Sequence, residues 1–106
     1  MQKFVIIFRQ GPRTLSEADK QRRQQEVSAW ARVQNTAGHK LEPRILGPEV
    51  ARPGADPAKE DANAPAEWPV GALLFLAATD LTEAAKVAES HPALHYGVTV
   101  EVRVRR

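Results

Sequence analysis

The sequence predicts an α+β domain of order β-α-β-β-α-β, with a four-stranded antiparallel sheet and two helices on one of its faces. Two observations carry most of this. Apolar runs of strand type recur at residues 2–9, 70–78 and 97–105, with a weaker one at 40–47. Between them lie two stretches that open on helix-capping signals and repeat at helical spacing. The length of 106 residues suits one domain with one core, so the whole chain, 1–106, is read as a single unit.

Strand one is QKFVIIFR, residues 2–9, rich in aromatic and β-branched side chains. Gly11 and Pro12 stop it. Ser16 then opens the first helix, with Asp19 where a capping box usually has Glu. The helix is expected to reach about Ala37, with Gly38 as a left-handed terminator. Its apolar stripe is Val27, Trp30 and Ala31, edged by Gln34 and Ala37. Lys20, Arg22, Arg23 and Glu26 are assigned to the opposite face. So narrow a stripe suits a helix lying on a surface.

Strand two is KLEPRILG, residues 40–47. Pro43 removes a ladder donor, which places this strand at a sheet edge. Residues 48–69 hold five of the eight prolines and show neither strand nor helix periodicity. They read as a long proline-rich insertion anchored by Val50 and Trp68. Strand three, VGALLFLAA at 70–78, is apolar throughout, as a central strand is. Asp80 caps a second helix, whose face is Leu81, Ala84, Ala85 and Ala88, and His91-Pro92 ends it. Strand four, 97–105, alternates strictly: Val98, Val100, Val102 and Val104 oppose Thr99, Glu101, Arg103 and Arg105.

These faces have a consequence. Phe4, Ile6 and Phe8 oppose Val5 and Ile7 on strand one, and Leu74 and Leu76 oppose Leu73 and Phe75 on strand three. Two helices cover one face only. Leaving the other in water forgoes roughly 1.5–3 kcal/mol for each large side chain. A two-fold homodimer joining the open faces is therefore expected.

Composition narrows the function. The net charge of +2 is small, and the arginines at 103, 105 and 106 read as solvated, so no nucleic-acid partner is expected. Strands one and three lack the aromatic and glycine pattern of RNA-recognition sheets. There is no cysteine, and the apolar run at 4–8 is too short for a secretion signal or a membrane span. A cytoplasmic protein without membrane contact is the expectation. No phosphate-loop pattern occurs, and no cofactor is expected.

Four places carry possible chemistry. His91 titrates near neutrality and follows a helix whose C-terminus favours the protonated ring, so it is the candidate acid or base. The plainer alternative is a helix-end cap packed under Pro92. Glu101 and Arg103, on the polar face of strand four, point toward Arg9 and could hold a small anionic or hydroxylated ligand. An ion pair between strands or subunits explains them equally well. Arg9, Gly11 and Arg13 precede a helix start, a place that suits an anion, although a solvated turn accounts for them too. Trp30 is carried as a ligand-binding candidate beside its core role. His39, His91 and His95 do not make a metal set, because Pro92 breaks the helix between the last two.

Taken together, KFVIIFR, the helix with Trp30, GALLFLAATDLTEA, SHPAL and the final VEVRV resemble the YCII-related (DGPF) domains. The likeness spans nearly the whole chain except 48–69. It implies a ferredoxin-like protomer within a dimeric α+β barrel. It also implies a catalytic His–Asp pair of the kind suggested for some members, with the histidine at His91 and no aspartate assigned. One relative of that family is a lactone dehalogenase. The Asp-Gly-Pro-Phe motif itself is absent, and Pro65-Ala66-Glu67-Trp68-Pro69 stands in its place. The function expected from this is proton transfer, elimination or lyase-type chemistry on a small carboxylated or cyclic metabolite. The alternative is a non-catalytic ligand-binding or assembly domain.

Overall fold

A computed structural model describes residues 1–51, 53–54 and 68–106. Most of the expected 48–69 insertion therefore lies outside the described residues. The element order is β1 (Gln2–Arg9), α1 (Glu17–Thr36), β2 (Glu42–Ile45), β3 (Val70–Ala78), α2 (Leu81–Glu89), a 3-10 helix (Pro92–Tyr96) and β4 (Thr99–Val104). The four strands form one antiparallel sheet in the order β2-β3-β1-β4. This is the ferredoxin-like βαββαβ fold that the sequence predicts.

Register assigns every side chain to a face, because residues directly opposed across a ladder point the same way. Phe4, Ile6 and Phe8 pair with Leu76, Leu74 and Ala72 on one side and with Val104, Val102 and Val100 on the other. That face is covered. Phe4 and Ile6 are fully buried there, under Ala84, Val87 and Ala88 of α2. Small residues on α2 let it sit close to the sheet. The stripe differs from the expected one: Val87 is buried and Leu81 is half exposed, because the helix is turned toward the Ala84–Val87–Ala88 side.

On the opposite face Val5 and Ile7 pair with Phe75 and Leu73 of β3, and with Arg103 and Glu101 of β4. Glu42 and Arg44 of β2 share it, opposite Phe75 and Leu73. The open face therefore has an apolar centre framed by charge on both flanks. β2 is the sheet edge, as Pro43 requires, but it is shorter than expected and Ile45 is 83% exposed.

Capping holds both helices. The Ser16 hydroxyl accepts from the Asp19 amide, and Asp80 accepts from the Glu83 amide at 2.8 Å. Glu83 reaches back to accept from the amide of Thr79, one residue before the N-cap, in a variant of the capping box. Gly38 follows α1 at φ 95°, a left-handed conformation natural to glycine. No helix among the described residues is long and apolar enough to cross a membrane.

Candidate functional site

α1 does not lie flat on the sheet. Of its twenty residues only Trp30 is buried. The indole Nε1 donates to the Ser90 hydroxyl at 2.8 Å, and that hydroxyl donates to the Val87 carbonyl at 2.7 Å. The Tyr96 hydroxyl donates to Glu26 at 3.0 Å. These bonds pin α1 to the end of α2 and to the 3-10 helix. A cleft of about 720 Å³ remains between α1 and the half of the sheet formed by β2 and β3. Its size falls in the range that small-molecule sites occupy. Phe8, Leu74 and Ala72 contribute to its floor, while Val27 and Ala31 line it from α1.

His91 stands at the inner end of this cleft and is 7% exposed. Its ring lies edge-on between Phe8 and Trp30, with centroids 4.7 and 4.5 Å away. His91 is also the N-cap of the 3-10 helix: the Ala93 amide donates to Nδ1 at 3.0 Å. A nitrogen that accepts from an amide carries no proton, so the neutral ring has its hydrogen on Nε2. Among the described residues no buried side-chain nitrogen or oxygen lacks a partner, and the bond to Nδ1 is the His91 ring's sole hydrogen bond. Nε2–H therefore keeps solvent access, on a residue that lines the cleft. Burial lowers the His91 pKa from 6.5 to about 4. This reverses the sequence expectation that the end of α2 favours the charged ring. The ring caps the start of the next helix and is packed between two aromatics, so desolvation governs it.

The sheet separates the sequence-predicted site residues into two groups. His91 and Trp30 meet on the covered face. Arg9, Glu101 and Arg103 meet on the open face: Glu101 accepts from Arg9 at 3.2 Å and from Arg103 at 3.3 Å. Arg9 also donates to the Trp68 carbonyl. Within one chain, then, the arginines and Glu101 form a surface ion-pair cluster, and they do not reach the cleft that His91 faces. Arg13 donates to the His95 carbonyl at 2.9 Å and lies over the Tyr96 ring, so it fastens the first turn to the 3-10 helix. The three histidines lie apart. His39 Nδ1 is 2.8 Å from the Ala77 carbonyl, and His95 is exposed. Among the described residues no group of three or more ligating side chains could hold a metal ion.

Two residues that the sequence places on the outer face of α1, Lys20 and Arg23, line the cleft. Arg23 is half buried. Arg23, Val27 and Trp30 are spaced at i, i+4 and i+7, which puts all three on one helix face. That spacing is visible in the sequence, but a charge is normally assigned to water. Among the described residues Arg23 makes no ion pair or hydrogen bond, whereas neighbouring Lys20 pairs with Glu17 and Arg22 with Asp19.

In comparison with known proteins, the chain matches no family model and no curated sequence.

Proposed function

We propose that this chain is a cytoplasmic, homodimeric, YCII-like protein that binds a small molecule in the cleft between α1 and the sheet. The observation that carries the reading is His91. A polar ring packed between Phe8 and Trp30 keeps one hydrogen-bond donor unspent, on a residue that lines the cleft. A donor beside a largely apolar cleft finds its partner in an oxygen of the bound molecule. The KFVIIFR, SHPAL and VEVRV segments and the ferredoxin-like topology support the YCII likeness.

Binding is a better fit to this geometry than proton abstraction. With Nδ1 held by the Ala93 amide, Nε2 donates and has no lone pair to offer a substrate proton. A ring whose pKa is about 4 is also a weak base near neutrality. The open face supports the dimer: Val5, Ile7, Leu73 and Phe75 form one apolar patch, with acid–base pairs on both flanks that a two-fold partner can meet.

The cleft reading is tested by screening oxygen-bearing fragments by thermal shift, against the chain and against Ala31→Phe, which fills the cleft from α1. Fragments that raise the melting temperature of the first and not of the second are the expected result. Fragments that stabilise both equally bind elsewhere and would refute the cleft as the site.

A further inference from the structure

The cleft also carries a charged feature, on α1. Arg23 is a permanent cation, since a guanidinium does not deprotonate in proteins. It is half buried, lines the cleft and has no partner among the described residues. The other charged groups lining the cleft are Glu17 and Lys20, and these pair with each other at 3.3 Å. Among the described residues, the cleft lining therefore carries one positive charge that no acidic side chain pairs. Seven residues separate Arg23 from Trp30 along α1, a rise of about 10 Å. Trp30 packs on His91, so Arg23 stands about two helical turns along α1 from the residue that touches the ring. Val27, Ala31, Leu41 and Ala72 give the lining most of its apolar surface, beside Gln24, Ser28 and Asn35.

A cation and a neutral donor on one largely apolar cleft define a ligand. We infer that the cleft takes an amphipathic monocarboxylate: the carboxylate pairs with Arg23, an apolar body about one ring and a short methylene chain long fills the cleft, and a carbonyl or ether oxygen accepts from Nε2–H of His91. A guanidinium engages a carboxylate through two parallel hydrogen bonds, which a neutral amide cannot match. The neutral imidazole selects an uncharged oxygen acceptor at the inner end. This inference rests on the cleft being the binding site and adds the chemical class of what it binds.

Three probes built on one phenylbutanoyl body test it by calorimetry. They are 4-(4-acetylphenyl)butanoate, its primary amide, and 4-phenylbutanoate, which lacks the acceptor. The keto acid is expected to bind about tenfold tighter than its amide, as the loss of a charge-assisted contact implies. It is expected to bind about fivefold tighter than 4-phenylbutanoate, as the loss of one neutral hydrogen bond implies. In Arg23→Gln the preference for acid over amide disappears and the amide's affinity is unchanged. In His91→Phe the preference for the acetyl group disappears. If acid and amide bind the parent equally, or Arg23→Gln keeps the preference, the carboxylate assignment is wrong while the cleft remains a binding site. If none of the three binds at millimolar concentration, the assignment is also wrong, and the fragment screen against Ala31→Phe decides separately whether the cleft binds anything.

Discussion

His91 shows how surroundings decide what a side chain can do. Its ring is neutral at physiological pH because burial between Phe8 and Trp30 penalises the charged form. The folded pKa of about 4 lies below the unfolded value of 6.5. Between those values the unfolded chain binds more protons, so stability is present above pH 6.5 and is lost as pH falls toward 4. Urea unfolding across this window is expected to lose on the order of 2 kcal/mol through this group. His91→Phe removes that part of the slope. An unchanged slope in the variant contradicts the burial. Trp30 holds the other side of the ring. Trp30→Phe loses the bond to Ser90, and an expected cost of about 1 kcal/mol is measurable in the same experiment. His91 was legible in the sequence as a residue worth testing. Its protonation was not, because Phe8 and Trp30, which set it, are distant in sequence and meet it only through the fold.

At the scale of elements, turns and caps place the site. The alternation of β4, the continuous apolar run of β3 and the capping box of α2 were all readable, because each is a local pattern with one structural solution. The stand-off of α1 was not. It follows from bonds between Trp30 and Ser90 and between Tyr96 and Glu26, which no local pattern encodes. In the sequence His91-Pro92 reads only as the end of the second helix, although it is a cap followed by proline in its preferred first helical position and opens the 3-10 helix at Pro92–Tyr96. Gly11 was read as a strand stop, yet the fold gives it a second task. A Cβ there would lie 2.4 Å from the Gly97 carbonyl oxygen, so the turn after β1 rests directly on the turn before β4. Gly11→Ala must push backbone apart. It is expected to destabilise by about 1–3 kcal/mol in urea unfolding, against near neutrality for a glycine in open space.

The whole molecule is two-faced. One side of the sheet is sealed by α2 and, more loosely, by α1. On the other, Val5, Ile7, Leu73 and Phe75 are only half buried, and the Arg105 guanidinium lies 4.2 Å above the Phe75 ring. Alternation in strand one and strand three makes this second apolar face legible in the sequence, and with it the expectation of a homodimer. Sedimentation velocity across a dilution series is expected to show a dimer for the parent chain. Phe75→Glu, which puts a charge at the centre of the patch, is expected to give a monomer with unchanged helical circular dichroism. A parent chain that sediments as a monomer at all concentrations contradicts the dimer. The cleft would survive that result, because the sheet lies between the two surfaces.

The claim on which the binding account turns is that His91 offers a neutral Nε2–H to the cleft. Long-range proton–nitrogen correlation spectra of the ¹⁵N-labelled protein observe this directly, since the two ring nitrogens report which of them carries the hydrogen. The account predicts a protonated Nε2 and an unprotonated Nδ1 at neutral pH, with a titration midpoint near 4. A hydrogen on Nδ1, or a midpoint near 6.5, would contradict it.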